Sequence, residues 1–521
     1  MMAAALFTVS CEKDEYVGKD PYADAREQLG IKLSTLQPNP GKGVVGTEVS
    51  LSGNGFLKYK DSIRIRFNGE LATVVSVLDS VITVKVPAMA SSGIITLSVG
   101  KDVVPGPSFT VAGAMSVDKD FQSFVGANNN ISDITALSDG RFVLAGSFTD
   151  YNNAGLRAGY SGMVMIGADG VVDKSFRIAP GFNGNVARVI ELKSGQLLAS
   201  GVFSKLGAMK SSLGNITLLQ KTGTVPGVQV EYTNENGDPA KDTVPAFNAY
   251  FDGPVTGLLE QEDGRVVVYG YFRHYLSKNY YPAGKDTVIT DTIPAAGLVR
   301  IYPDGQLDKS FRYDAETNTV PSGVDGFISD AIIQPGGKIV IGGLFARYEN
   351  KTVKSLIRLL PDGSLDEQFA AGSNLNGDIS SIRQLPGNKL LVSGTFSQIG
   401  GKNRKKVAIL QENGVADDGF DPGAGADGPV MLAERLGNGK ILATGTFQKF
   451  NGVSRYGMAI LDADGKLSTT HNNIGSFGFK EPYFSRPVFD ILTTDQFNTI
   501  LVGNFFKVDL LQNNRIVRLT Y

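Results

Sequence analysis

The sequence predicts an all-β chain in which a small antiparallel sandwich precedes a seven-bladed β-propeller, closed by a strand from the propeller's own N-terminal side. Three observations support this. The 521 residues include 63 Gly, 22 Pro, 29 Phe and 18 Tyr, a composition typical of short strands joined by many turns. Apolar and polar residues alternate with a period of two. One short motif recurs at intervals along most of the chain.

Composition also excludes several classes of function. The 50 Lys and Arg nearly balance the 52 Asp and Glu, so the net charge of −2 offers no general attraction to nucleic acid. A single Cys excludes an intramolecular disulfide framework and a Cys-based zinc site. The only two histidines are His274 and His471, and the P-loop, zinc-protease and nucleophile-elbow motifs are absent. We therefore expect no cofactor, no metal and no enzymatic activity.

The N-terminus contains an apolar run, residues 1–10, followed by the single cysteine, Cys11. The run is too short to span a bilayer and has no basic segment before it. It resembles the lipobox of bacterial lipoproteins, except at Thr8, and the acidic residues 12–15 resemble the signal that sends Bacteroidetes lipoproteins to the outer face of the outer membrane. The resemblance implies a partial signal peptide, a lipidated Cys11, a flexible tether over 11–32 and an outward-facing location. The alternative is an incidental cysteine in a disordered tail.

Residues 33–112 alternate apolar and polar positions in short strands separated by glycine turns, which predicts a small sandwich. The turns Gly53-Asn54-Gly55-Phe56 and Phe67-Asn68-Gly69, with the pair Val86-Pro87, occur in the order found in IPT/TIG immunoglobulin-like domains. This resemblance covers the whole segment, and it implies a spacer or a protein-contact module.

The rest of the chain repeats a Gly-x-Phe triplet after an aliphatic run. A hairpin of two apolar strands precedes each copy, and a third strand with a second tight turn follows most of them. Asp-Gly and Asn-Gly supply the positive φ angles that such turns require. Each unit is therefore predicted to be a four-stranded meander of roughly 45–50 residues, the size of a propeller blade. The seven copies begin at Gly146, Gly201, Gly270, Gly343, Gly394, Gly445 and Gly503.

The seventh copy lacks a fourth strand, since the sequence ends at Tyr521. Residues 116–121 match the ends of earlier units at 172–176, 307–311 and 365–369. If they complete the last blade, the ring closes without a free edge, so a propeller is predicted over 116–521. The unit resembles the delta-60 repeat, and the domain order resembles Bacteroidetes surface lipoproteins that are associated with polysaccharide capture.

Most of the extra loop length falls on one predicted face of the propeller, where binding sites usually lie. Tyrosine joins an apolar ring to a hydrogen-bonding tip, which suits a sugar. The alternative is that these tyrosines pack the inserts onto the scaffold. The longer connections are 149–161, 234–253, 273–294, 313–326 and 469–486. The candidate ligand-binding residues are Tyr271, Arg273, His274, Tyr275, Tyr280, Tyr281 and Tyr313, and secondary candidates are Tyr151, Tyr160, Tyr483 and Phe484.

Two other patterns are interpreted as structural. Residues 423–428 match a dinucleotide fingerprint by letter, but no helix follows, so an inter-blade loop is expected. Recurrent aspartates at the blade ends are expected to cap turns rather than to bind a metal, and the acidic cluster after them lacks Ca²⁺-loop spacing. These residues are Asp173, Asp308, Asp366 and Asp417, then Asp418, Asp421 and Asp427.

Together these features predict a surface-exposed, lipid-anchored protein that binds an extended ligand, a polysaccharide, by aromatic stacking and hydrogen bonds. The absence of Trp counts against a sugar platform. Two alternatives stay open: a protein-interaction or adhesion scaffold, and a glycan-active enzyme. Clustered tyrosines favour the first function, whereas a broad apolar patch on the loop-rich face would favour the scaffold.

Overall fold

The computed structural model describes residues 29–122, 125–207, 209, 212–234, 236–279, 289–372, 375–478, 486–495 and 497–521. Strands dominate this part of the chain, and the all-β prediction is confirmed. Single 3₁₀ turns lie at Leu57–Tyr59, Leu156–Ala158, Ala370–Gly372 and Pro386–Asn388. Within the described ranges, no helix has the length and apolar character needed to cross a membrane.

The N-terminal domain is a sandwich of two sheets. Alternate side chains of both sheets face inward, and Phe67 and Phe109 meet edge to face at 5.1 Å between ring centroids. One sheet contains, in spatial order, Lys32–Leu33, Glu48–Asn54, Val81–Lys85 and Thr73–Val77. The other contains Lys42–Gly43, Asp102–Val111, Gly93–Val99, Ile63–Phe67 and Glu70–Leu71.

Seven antiparallel sheets follow in the described residues, each with three main strands that are neighbours in the order in which they occur along the chain. Their strands are apolar on both faces, since each sheet packs between two neighbours. They are Ile131–Ala136, Phe142–Gly146 and Met163–Ile166; Asn185–Glu191, Leu197–Val202 and Ile216–Leu219; Val255–Glu260, Val266–Gly270 and Leu298–Ile301; Phe327–Ile333, Ile339–Leu344 and Leu356–Leu359; Ile379–Gln384, Leu390–Gly394 and Val407–Leu410; Val430–Arg435, Ile441–Gly445 and Met458–Leu461; and Val488–Thr493, Asn498–Gly503 and Ile516–Thr520.

The fourth strand of each predicted meander is much reduced. In five sheets it is a single antiparallel bridge to the third strand, made by Val172, Leu307, Leu365, Ala416 or Leu467. The second sheet has no such bridge among the described residues, and the hairpin Gly227–Thr233 with Pro239–Pro245 follows it instead. The predicted four-stranded unit is therefore reduced to three strands and a single bridge in these five sheets.

The first strands of the seven sheets contact one another in sequence, and the first strand of the seventh sheet contacts that of the first. Ser116–Val117 pairs antiparallel with the last strand of the seventh sheet, with Ser116 opposite Thr520 and Val117 opposite Leu519. Arg518 lies beside this pairing and its Nε is 2.7 Å from Asp118 Oδ2.

A layer of small strand pairs covers one end of the seven sheets. Each pair forms where the connection between the second and third strands of a sheet folds back on itself. A residue of that connection also forms a β-bridge with the segment that precedes the sheet. The pairs are Arg347–Tyr348 with Lys351–Thr352, Gln398–Ile399 with Lys402–Asn403, and Lys449–Phe450 with Val453–Ser454. Larger versions are Tyr250–Phe251, His274–Asn279 and Ile289–Pro294 in the third sheet's insert, and Phe477–Gly478, Lys507–Val508 and Leu511–Gln512 near the C-terminus.

The sandwich is hydrogen-bonded to the sixth and seventh sheets. Asn473 is the centre of the contact, since its Nδ2 donates to the carbonyl of Met115 at 2.8 Å and its Oδ1 accepts from the Met115 N–H at 3.1 Å. The Ser92 N–H donates to the Asn473 carbonyl at 2.9 Å. Glu70 Oε1 accepts from the Ser454 N–H at 2.7 Å. These contacts fix the sandwich against one side of the sheet ring.

Candidate ligand-binding site

Each of the seven first strands contains a β-bulge near its start. The register against the second strand shifts at equivalent places, for example between Ile131 and Asp133 and between Val488 and Asp490. A bulge bends a strand and redirects its side chains. Residues inside these bulges line the space enclosed by the first strands, and most of them are short and polar: Ser132, Ala187, Thr256, Ser329, Ser380 and Phe489.

That space is a cavity of about 430 Å³, referred to below as the central cavity. All seven sheets contribute to its wall, mostly from the start of the first strand, so it opens on the end that carries the small strand pairs. Hydroxyl, amide and charged groups predominate. The lining is Asn130, Ser132, Ser147, Asn185, Ala187, Arg188, Thr256, Tyr269, Ser329, Asp330, Ser380, Ser381, Arg383, Leu432, Arg486, Phe489 and Asp490.

Two arginines organise the charges at the floor of the central cavity. Arg383 binds three carboxylates, Asp330, Glu434 and Asp490, each at 2.9 Å. Arg188 Nη1 lies 2.8 Å from Asp133 Oδ1 and 3.7 Å from Asp490 Oδ2. Because these six residues come from six different sheets, the network ties the ring together across its centre.

Burial is the main influence on the acids of this network. It raises the pKa of Asp133 to about 6, helped by the neighbouring Asp490 and opposed by Arg188. Burial likewise raises the pKa of Glu434, against the attraction of Arg383. The protein offsets part of this burial, because the Asp133 carboxylate also accepts a hydrogen bond from the Val189 N–H at 2.8 Å.

The raised pKa of Asp133 predicts a pH dependence of stability. The folded state holds this proton up to about pH 6, whereas the unfolded chain releases it near 3.8, so the free energy of unfolding should fall as the pH rises between these values. The decline should be on the order of 2–3 kcal/mol, and Asp133→Asn should flatten it.

Urea unfolding at pH 4 to 7 measures this change in the free energy of unfolding. The control is Asp139→Asn, because Arg141 holds the pKa of Asp139 far below its usual range. An Asp133→Asn profile parallel to that of the unchanged protein would contradict the prediction.

An aromatic pair stands at the edge of the central cavity. Tyr271 and Phe327, which we call the rim pair, are 48% and 47% exposed, and their ring centroids are 4.9 Å apart. Tyr271 is the residue of the third sheet that corresponds to Ser147 of the first sheet. Phe327 of the fourth sheet corresponds in the same way to Asn130. Both Ser147 and Asn130 line the cavity. The rim pair therefore lies at the end of the sheets where the cavity opens, although neither ring is part of the cavity lining.

The structure places Tyr275 elsewhere than predicted. Its ring is 2% exposed within the core of the third sheet, and its hydroxyl donates to the Gly305 carbonyl at 2.9 Å. No surface ligand can stack on it, so its prediction as a binding residue needs correction. The sequence carried a signal for this, because every Gly-x-Phe phenylalanine is followed three residues later by a large buried residue. The equivalents are Tyr151, Leu206, Tyr348, Ile399, Phe450 and Val508.

Arg273 and His274 have structural contacts. Asp252 Oδ1 accepts hydrogen bonds from both backbone N–H groups at 2.8 and 3.0 Å, and His274 Nδ1 lies 2.6 Å from Asp252 Oδ2. The same clamp holds the equivalent loops of other sheets, which indicates a conformational role. Equivalent residues are Asn128, Asn183, Asp325, Asn376 and Asp427.

The other candidates are not brought together. Tyr313 is partly buried and donates its hydroxyl to Asn318 Oδ1 at 2.6 Å. Of the secondary residues, Tyr151 and Tyr160 are buried. Of the predicted site residues that the structure describes, Tyr271 alone belongs to the rim pair. Four candidates and the predicted lipidation site lie outside the described residues: Tyr280, Tyr281, Tyr483, Phe484 and Cys11.

The recurrent aspartates at the sheet ends are dispersed. Each accepts the backbone N–H two residues later and pairs with a cation of its own sheet, as Asp308 does with Ser310 and with Arg300 at 2.6 Å. Asp418 pairs with Lys402, and Asp427 clamps a loop. In the described part of the chain, no group of three or more His, Cys, Asp or Glu side chains is arranged to hold a metal ion.

Comparison with known proteins agrees with the two-part architecture. Residues 334–369, 386–420 and 436–470 match the model of the domain of unknown function (DUF5122) beta-propeller, and residues 32–111 match that of the IPT/TIG domain. No curated protein matches the chain.

Similar solved structures include the WD40 beta propeller domain of Doa1, with 12% identity and a TM-score of 0.43 over 79% of this chain and 97% of that chain. Another is an auxiliary nutrient binding protein from Bacteroides thetaiotaomicron VPI-5482, with 12% identity and a TM-score of 0.31 over 95% and 98%. The family models thus show an IPT/TIG domain followed by DUF5122 beta-propeller repeats.

Proposed function

We propose that this chain is a non-enzymatic binding protein that holds a polysaccharide at the mouth of the central cavity. The observation that carries the proposal is the rim pair beside a cavity lined by hydroxyl and amide groups. An exposed aromatic face suits the apolar face of a sugar ring, and the polar wall suits its hydroxyls. The site is open to one end of the ring, so an extended chain can lie across it.

Binding without catalysis fits the state of the acids in the cavity. A glycosidase needs one carboxyl group as a proton donor and another as a nucleophile or base. The two carboxylates that line the cavity, Asp330 and Asp490, are both bound to the same arginine, Arg383, so neither is free to contact a scissile bond. We therefore place the enzyme alternative behind the binding function.

We also propose that the seven sheets form a closed seven-bladed propeller, with Ser116–Val117 as the closing strand. The pairing with the seventh sheet supports this, as does the environment of Arg518, whose guanidinium carbon lies 4.7 Å from the Phe121 ring centroid. Arg300 makes the same two contacts in the third sheet, with Asp308 and Phe311. Closure matters for the function, since the first and seventh sheets both contribute to the cavity wall.

The proposed location rests on the sequence. We propose that Cys11 is lipidated and that the protein faces outward from the cell outer membrane. The tether and the docked sandwich would then hold the propeller away from the membrane. Anchoring many copies on one surface would compensate for weak binding at each site.

The test removes the rim pair. Tyr271→Ala with Phe327→Ala should weaken binding at least roughly tenfold for any polysaccharide that the chain binds, since that factor corresponds to about 1.4 kcal/mol. Binding is measured by calorimetry after a screen of plant, host and microbial polysaccharides. Tyr302→Ala with Phe497→Ala is the matched control, because both residues are exposed aromatics on turns at the opposite end of the sheets. Equal loss in the two double variants, or no binding to any glycan, would count against the proposal.

One observation favours the protein-interaction alternative. Leu344 is 51% exposed and is the cross-strand partner of Phe327, so the apolar surface extends beyond the rim pair. A protein partner would cover this aliphatic residue, whereas a sugar ring gains little from it. Leu344→Ser should leave glycan binding unchanged if the polysaccharide function is correct.

A further inference from the structure

We infer that the central cavity accepts the carboxylate of an acidic sugar, so that the ligand is a polysaccharide containing uronic acid residues. This inference rests on the proposed function and specifies its ligand. The observations that carry it are the distribution of charge in the cavity wall and the contacts of one arginine, Arg486.

The ion pairs of the central cavity involve two of its three arginines. Three guanidinium groups, those of Arg188, Arg383 and Arg486, face the cavity, against the two carboxylates of Asp330 and Asp490. Both carboxylates are bound to Arg383. Arg188 is bound to Asp133, which lies beneath the lining. Arg383 also binds Glu434, so Arg188 and Arg383 are both occupied by carboxylates, whereas Arg486 has no ion pair among the described residues.

Arg486 is held in place by neutral groups. Its Nε donates to the Val488 carbonyl at 2.9 Å and its Nη2 to the Phe489 carbonyl at 3.0 Å, and the guanidinium carbon lies 5.7 Å from the Phe489 ring centroid. Among the described residues, no carboxylate oxygen lies within 4.0 Å of it. Since Arg486 lines the central cavity and its guanidinium is held by carbonyl groups, a fixed positive charge is available to an anion.

The surroundings favour an anion carried by a sugar. One guanidinium outside the ion pairs suits a monoanion, because Asp330 and Asp490 would repel a phosphate dianion more strongly. The neighbouring wall offers hydroxyl and amide groups, including Ser329, Ser380 and Asn185. These bind sugar hydroxyls, whereas an acidic peptide would present apolar side chains to a wall that has few apolar residues. Burial lowers the pKa of Arg486, as expected for a cation that is poorly solvated.

The experiment compares each acidic polysaccharide with its own neutral form. Pectate, alginate and a glucuronan are tested natively and after reduction of their carboxyl groups, beside a panel of neutral glycans, at 50 and 500 mM NaCl. We expect at least one native form to bind roughly tenfold more tightly than its reduced form at low salt. High salt should reduce that preference, because it screens the ion pair. The salt series needs no variant, so it is independent of any effect of substitution on folding.

The variant Arg486→Gln should abolish the preference for the native form over the reduced form. Arg435→Gln is the matched control, since it removes an exposed positive charge at the opposite end of a first strand.

If neutral forms bind as well as the acidic ones, or if only neutral glycans bind, the inference is wrong while the proposed function stands. If no glycan binds, the proposed function itself fails. Binding of polyglutamate in preference to any acidic glycan would overturn the assignment of the ligand to sugars.

Discussion

Phe121→Ala is expected to lower the free energy of unfolding by about 3–5 kcal/mol, the usual cost of removing a fully buried aromatic ring. Phe121 is 1% exposed and packs with residues of both the first and the seventh sheet, including Ile131 and Ile516. Its segment precedes the first long strand by sequence but pairs with the end of the chain. The loss would therefore measure how strongly this segment joins the two ends of the ring.

Two variants calibrate that result in equilibrium denaturation. Phe311→Ala removes the equivalent ring of the third sheet, also 1% exposed, and should cost a similar amount. Phe497→Ala removes an exposed ring from the seventh sheet and should change stability by less than about 0.5 kcal/mol. If Phe121→Ala resembles Phe497→Ala, the segment does not close the propeller, and the prediction is wrong.

Arg383→Met is expected to cost about 3–5 kcal/mol near pH 7.5, because it leaves buried carboxylates without their cation. Burial tends to lower the pKa of Arg383, but Asp330, Asp490 and Glu434 outweigh it and hold that pKa above its ordinary value. Without the arginine, these acids should bind protons more readily. The destabilisation should therefore shrink as the pH falls toward 5, which urea unfolding at both pH values would detect.

A second substitution separates lost charge from lost packing. Adding Glu434→Gln to Arg383→Met should recover part of the stability, because one of the unpaired acids is then neutral. Arg435→Met is the control, since Arg435 is exposed and the described residues provide it with no ion pair. A cost that is the same at both pH values, with no recovery in the double variant, would show that packing dominates.

Much of the fold was predictable because its signals are local and repeated. Period-two alternation and glycine turns predicted the sandwich, which the IPT/TIG match confirms over residues 32–111. The Gly-x-Phe triplet predicted propeller repeats, and its phenylalanines are buried in every sheet. The fourth strand was overestimated, because a tight turn after the third strand does not reveal how many residues pair beyond it.

The candidate site was predicted only in part. Tyr271 is exposed, as a ligand-binding residue must be, whereas Tyr275 is buried, because the position three residues after each Gly-x-Phe phenylalanine packs into the core. The central cavity was missed altogether. Aligning the first strands would have shown polar residues at a shared position, as in Ile131-Ser132-Asp133 and Ile328-Ser329-Asp330.

By itself, the sequence determined that this protein is built of strands, that a sandwich precedes a repeat, and which residues form the core of each repeat. These properties depend on neighbours within one unit. The tertiary structure alone decided which side chains meet at the centre, because Arg188, Arg383 and Asp490 come from separate sheets and approach only when the sheets are arranged in a ring. It also decided the charge that a ligand would meet there, since each ion pair that compensates an arginine joins different sheets.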